Sequence, residues 1–151
     1  MTTTSTRQAS PSVLRYAFAI GAAVLVTALL WAAAYSLGIE LRVDPRNGQP
    51  VQVVGLPIVA GSTLVVSLLA SATRKWLDRF TDRAPTAWTR LGLTVLLVSL
   101  APLTYVQASG SAKAMLALMH LAVAAVLVPL LARGSDRPGT QQYAEFNESI
   151  R

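Results

Sequence analysis

The chain has 151 residues, of which 53% are hydrophobic and 13% are charged, and its formal net charge is +6. Soluble domains usually contain about 25% charged residues, so this composition argues against a soluble fold and favours a surface covered by lipid. The absence of cysteine excludes disulfides, thiol nucleophiles and cysteine-ligated metal centres. Because the basic residues lie between apolar runs, we expect a membrane surface, and not a nucleic acid, as their counter-charge.

Two polar segments flank the apolar part of the chain. Residues 1–13 and residues 134–151 lack a periodic apolar face, and we expect both to be disordered. The part between them, residues 14–133, has the length of one domain. The sequence therefore predicts one membrane domain with a disordered arm and a disordered tail.

Four apolar stretches within this domain are long enough to cross the hydrocarbon as helices, which takes about 20 mostly apolar residues. They cover residues 16–37, 51–72, 91–108 and 112–132. The first run exceeds the roughly 7–15 apolar residues typical of a signal-peptide core, which favours an uncleaved helix. The predicted fold class is all-α, a polytopic membrane four-helix bundle.

The first loop, residues 38–50, follows the first span and contains both charge signs. Its ELRV segment is compatible with a short strand, and RNGQP predicts a turn from its Asn-Gly pair and its proline.

Basic residues are distributed unequally over the two sides of this predicted bundle. The arm, the second loop and the tail hold ten of the thirteen lysines and arginines, and the first and third loops hold three. Short loops rich in lysine and arginine stay in the cytoplasm. We therefore expect both termini to be cytoplasmic.

The second loop has the pattern of a short amphipathic helix lying in the membrane interface. Trp76, Leu77 and Phe80 fall on one side at helical spacing, with charged residues around them. We interpret this cytoplasmic interfacial loop either as a contact for anionic lipid headgroups or a partner, or as a loop whose charges only fix orientation; the second interpretation is favoured. Its candidate residues are Arg74, Lys75, Trp76, Arg79, Phe80 and Arg83.

Five polar side chains lie at similar depth within the four spans. Unpaired polar groups are costly in hydrocarbon, so we expect them to form an intramembrane polar cluster. His120 should lie level with Pro102, which leaves the carbonyl of Val98 without its helical donor, and should bond that carbonyl or the Ser99 hydroxyl. A structural role for the histidine is favoured over proton or solute handling. The cluster consists of His120, Ser99, Thr27, Ser62 and Thr63.

Prolines and small residues carry a weaker signal. Pro57, Pro102 and Pro129 fall in or near spans, and we interpret them as helix kinks tolerated by neighbouring groups. The alternative is that they form hinges or broken helices, as in transporters. Small residues spaced by four allow close helix approach, and the pairs are Ala17 with Gly21 and Ser67 with Ser71.

No motif in the chain points to catalysis. There is no glycine-rich phosphate loop, no pair of carboxylates in a span and no metal-ligand spacing, so we expect no enzyme activity, cofactor or metal. The favoured function is a structural or accessory membrane component, in contact with lipid and forming a homo-oligomer or binding a membrane protein. The alternative is a small oligomeric transporter or channel with its polar cluster around His120.

The last span and the span order resemble a group of uncharacterised four-span membrane proteins common in actinobacteria, classed as a domain of unknown function. The resemblance covers about residues 13–133 and implies a bacterial plasma-membrane protein without an assigned activity. It also implies that His120 and Pro129 are more than accidental. The matching residues are Met119, His120, Pro129 and Arg133 in MHLAVAAVLVPLLAR, and Leu56 with Pro57.

Overall fold

The computed structural model describes residues 11–45, 48–81 and 83–132. Their helices and strands are α1 (Pro11–Ser36), β1 (Arg42–Val43), β2 (Gln52–Val53), α2 (Leu56–Phe80), α3 (Ala84–Leu100), α4 (Pro102–Tyr105) and α5 (Gly110–Ala132). Residues 11–13, assigned to the disordered arm from sequence, instead form the first turn of α1, where the fixed φ of a proline suits helix initiation. The rest of the arm and the tail lie outside the described residues.

Four helical segments of the described chain are long and apolar enough to cross a membrane: Ser12–Ser36, Leu56–Phe80, Ala84–Tyr105 and Gly110–Ala132. The third comprises α3 and α4 together. The prediction of an all-α, four-span membrane domain is therefore confirmed.

The second span differs most from its predicted bounds of 51–72. It begins only at Leu56 because Pro57 occupies its first turn, where the missing N–H costs no hydrogen bond. Pro57 therefore begins a helix and does not kink one. At the other end, α2 continues to Phe80 because no proline or glycine interrupts RKWLDRF. The expected separate interfacial helix is thus the end of α2, and of its candidate residues only Arg83 lies beyond it.

The third span covers residues 84–105 and not the predicted 91–108. Pro85 lies in the first turn of α3, which moves the start towards the second loop. Pro102 interrupts the span at Ala101, whose N–H donates to the carbonyl of Val98 at 3.2 Å. The fourth span keeps Pro129 inside a continuous helix and starts two residues earlier than the predicted residue 112.

The four spans form a ring in the order α1, α2, α3 and α5. The first helix packs against α2 and α5, and α3 packs mainly against α5.

The apolar core has two clusters. One is centred on Ala19, Ala23, Trp88, Leu127 and Leu131. The other is centred on Ala34, Leu41, Val59, Ala112 and Met119. We call the end with the first cluster the termini end and the end with the second cluster the hairpin end.

A small hairpin covers the second of these ends. Strands β1 and β2 are antiparallel, with Arg42 opposite Val53. Asp44 and Gln107 exchange two backbone hydrogen bonds, of 2.9 and 3.0 Å, which tie the hairpin to the connection between α4 and α5. The indole N–H of Trp31 donates to the carbonyl of Val54 at 3.1 Å. The loop is therefore fixed to three of the four spans.

The contact between α3 and α5 depends on Gly92. A Cβ on this residue would lie 2.7 Å from Cγ2 of Val128, a side chain with little rotational freedom. We predict that Gly92→Ala destabilises the bundle by about 1–3 kcal/mol, the usual cost of overpacking. Gly61→Ala is the matched control, because a Cβ there meets nothing within 4 Å. It should be neutral or stabilising by up to about 1 kcal/mol. Unfolding of both variants in detergent measures the difference, and equal stabilities would contradict this prediction.

Candidate functional site

Four of the five polar residues expected to form a cluster bond instead to their own helices, and the fifth, Thr63, lies on the buried face of α2. The His120 ring is half-buried, and its Nδ1 lies 2.7 Å from the Leu116 carbonyl oxygen. The expected bond to Val98 or Ser99 is not formed, because a carbonyl four residues back on the same helix is already in reach. The hydroxyls do the same: Thr27 donates to Ala23 and Val24, Ser62 to Val59, and Ser99 to Leu96.

A different polar row lies in the interior, along one face of α2. Thr63, Ser67, Ser71 and Arg74 are all buried, and their spacings of four, four and three residues place them on one side of the helix. The Ser71 hydroxyl donates to the Ser67 carbonyl at 2.8 Å. The Ser67 hydroxyl is fully buried and forms no hydrogen bond within the described part of the chain.

The row on α2 has a small-residue counterpart on α1. Ala19, Ala23 and Thr27 are buried there at spacings of four, which lets the two antiparallel helices approach closely. Of the two small-residue pairs noted in the sequence, Ser67 and Ser71 are buried. Ala17 and Gly21 are exposed.

Arg74 is the one charged residue of this row, and its side chain is 0% exposed. Its Nε donates to the Leu131 carbonyl at 2.8 Å, and its Nη1 donates to Oδ1 of Asp78 at 2.7 Å. The Asp78 side chain is 36% exposed, so solvent can reach the anionic partner. The guanidinium thus joins the end of α2 to the end of α5.

The last carbonyls of a helix have no partner within it and carry a partial negative charge. Leu131 is the next-to-last residue of α5, so its carbonyl is one of these groups. A buried cation at that position caps the helix and offsets part of the desolvation of the guanidinium. One turn earlier, the indole N–H of Trp88 in α3 donates to the Val128 carbonyl at 3.1 Å. Side chains of α2 and α3 therefore both hold the end of α5.

Several other basic residues of this end lie on the surface. Lys75 and Arg79 are exposed on the last turns of α2, and Arg83 precedes α3. Trp76 and Phe80 are also exposed, with ring centroids 4.6 Å apart. Lys75 lies over the ring of Tyr16 from α1, with its Nζ 4.7 Å from the centroid. Residues assigned to one interfacial loop from sequence thus split into a buried arginine and an exposed surface.

The hairpin end holds an open cleft of about 530 Å³. Its charged lining consists of Arg42, Asp44 and Lys113, with polar groups from the α4–α5 connection beside them. In the described residues, no three histidine, aspartate or glutamate side chains lie together as a metal site. The chemistry that these groups supply is hydrogen bonding and charge pairing.

Sequence reasoning missed the burial of Arg74 and the roles of Asp78 and Trp88. The signal for Arg74 was present, because residues 63, 67, 71, 74 and 78 fall on one helix face. Because the predicted span ended at residue 72, Arg74 fell outside it and was assigned to a loop. The Trp88 hydrogen bond to α5 had no local signal, since it depends on how α3 packs.

The four spans and the bonds of Arg74 and Trp88 to α5 define an integral membrane four-helix bundle. The chain belongs to the family of unknown function DUF6069, whose model matches residues 7–137. The match includes all four spans and Arg74. Comparisons with curated proteins and with solved structures gave no match.

We predict that Arg74→Met destabilises the bundle by about 1.5–3 kcal/mol or more, because a buried hydrogen bond to a charged group is lost at the Leu131 carbonyl. The thioether side chain keeps most of the volume, so packing loss is small. Arg79→Met is the control, since this exposed residue on the same helix should change stability by less than about 0.5 kcal/mol. Denaturant unfolding in detergent measures both, and equal effects would show that the buried bonds contribute nothing.

Proposed function

We propose that this protein is a non-enzymatic component of a bacterial plasma membrane, with a structural or accessory role. It would act as a homo-oligomer or beside another membrane protein, with anionic lipid headgroups at its basic face. The observation that carries this proposal is that the polar side chains of the spans form their hydrogen bonds within the chain. Thr27 and His120 bond to carbonyls of their own helices, and Arg74 bonds to the Leu131 carbonyl of α5 and to the Asp78 carboxylate. Groups satisfied in this way within the chain do not present a path for a solute, and the Arg74 bond joins two helices.

The distribution of charge supports cytoplasmic termini. Arg42 and Lys113 lie at the hairpin end, whereas most described basic residues lie at the termini end. Those residues are Arg15, Arg74, Lys75, Arg79, Arg83 and Arg90. The positive-inside rule places the second group in the cytoplasm. The arginine-rich composition, with abundant alanine, leucine and valine, supports a bacterial origin.

Because the natural chain has no cysteine, single cysteines can report orientation directly. We predict that Gln52→Cys in β2 reacts with a membrane-impermeant maleimide on intact cells. Arg83→Cys, before α3, should react only after the cells are permeabilised. The cysteine-free parent is the control for background labelling. The reverse pattern would overturn the proposed orientation.

The His120→Leu variant distinguishes the accessory role from the alternative of a transporter or channel. We predict a stability loss of about 0.5–1.5 kcal/mol, the usual worth of one hydrogen bond, since only the contact to Leu116 is removed. In proteoliposomes, parent and variant should pass protons no faster than protein-free vesicles. A proton flux in the parent that disappears in a folded His120→Leu variant would contradict the accessory role and favour a channel. Unfolding in detergent and a pH-sensitive dye provide the two measurements.

A further inference from the structure

We propose that Arg15, Tyr16 and Lys75 form a binding site for the phosphate of an anionic phospholipid at the seam between α1 and α2. The inference rests on the proposed membrane placement and names a specific ligand site within it. Two cationic side chains converge on one aromatic ring in this part of the structure. The Nζ of Lys75 lies 4.7 Å from the Tyr16 ring centroid, and the Cζ of Arg15 lies 6.0 Å from the same centroid.

This convergence brings two positive charges from different helices to one ring. Both distances run to the same point, so the two cationic atoms cannot lie further apart than the sum of these distances. Their mutual repulsion is unfavourable, and the attraction of each to the ring face offsets part of it. A phosphate group has several acceptor oxygens and a negative charge, so one headgroup placed between them would favour the arrangement. The two cations therefore supply, within reach of one ring, the positive charge that a phosphate ligand requires.

The acid nearest to this site in sequence is already engaged. Asp78 lies one turn after Lys75, but its Oδ1 accepts from Nη1 of Arg74 at 2.7 Å. The Tyr16 ring packs against the buried cluster of the termini end, which holds the ring in place beside the cations. Lys75 itself is exposed, so a ligand can approach it from the lipid side. The outer face of the site is thus formed by Lys75.

A second, independent feature sets the depth of the site. Trp76 and Phe80, on the same turns of α2 as Lys75, are 61% and 67% exposed. Tryptophan is enriched at the membrane–water interface, where its ring lies at the level of the lipid headgroups. Lys75 precedes Trp76 on the same turn of α2, so its ammonium lies at the depth where phospholipid phosphates occur. This favours a lipid phosphate over a nucleic acid or a soluble protein as the ligand.

The test is a lipid titration of the purified full-length chain in a neutral detergent, followed by thermal unfolding. Phosphatidylglycerol should raise the unfolding temperature more than phosphatidylcholine at equal concentration, because ligand that binds the folded state stabilises it. Lys75→Gln should weaken the apparent affinity for phosphatidylglycerol about five-fold. Lys75→Arg should retain it. Arg15→Gln should weaken it similarly, and the double variant should lose most of the preference over phosphatidylcholine.

Lys113→Gln is the matched control, because it removes the other lysine of the chain at the hairpin end. It should leave the phosphatidylglycerol effect unchanged. Inorganic phosphate at the same concentration should give no comparable shift, which separates a lipid ligand from a free anion. The proposal is overturned if Lys75→Gln keeps the full lipid effect, if Lys113→Gln reduces it as much, or if inorganic phosphate reproduces it. None of these results bears on the orientation or flux measurements, so failure of this site is distinct from failure of the proposed function.

Discussion

The buried guanidinium of Arg74 is the interaction on which the rest of the bundle depends. α2 has 25 residues, so it is about 37 Å long, whereas the hydrocarbon layer is about 30 Å thick. Arg74, about 9 Å before the helix end, therefore lies near the edge of the hydrocarbon. A charge at that depth must be enclosed by protein and hydrogen-bonded. The Leu131 carbonyl and the Asp78 carboxylate meet this requirement, and they fix α2 against the end of α5.

Contacts to the preceding turn of α5 fix the position of α3. Val128 accepts a hydrogen bond from Trp88 and packs its side chain against Gly92, two α3 residues one turn apart. These contacts hold the turn of α5 that contains Pro129, which lacks an N–H for the helix. Beyond this end the buried polar groups are hydroxyls, of which those of Thr27 and Ser71 bond to carbonyls of their own helices. The bundle is thus held by side-chain hydrogen bonds to α5 at the termini end and by the bonds of the small hairpin at the other end.

Sequence patterns predicted the number and type of the spans because apolar length is a local property. The helix ends were harder, since Pro57 and Pro85 begin helices and the charged run after Thr73 continues one. The predicted bond from His120 to Val98 or Ser99 was wrong, because a polar side chain in a helix can also bond a carbonyl of its own preceding turn. The Leu116 carbonyl was nearer. The spacing of Arg74 from Ser67 and Ser71 places it on one helix face, but its bond to Leu131 depends on the packing of α5, which no local pattern contains.

The most direct test of this account is the exchange behaviour of the Arg74 side chain. In the ¹H–¹⁵N NMR spectrum of the protein in nanodiscs, the Nε–H signal of Arg74 is assigned by its loss in Arg74→Lys. A buried N–H that donates to the Leu131 carbonyl should exchange with solvent far more slowly than the Nε–H of exposed Arg79. We expect the Nε–H of Arg74 to be protected from exchange and the Nε–H of Arg79 to exchange fast. Equal, fast exchange of both would show that the guanidinium is open to water and does not close the bundle.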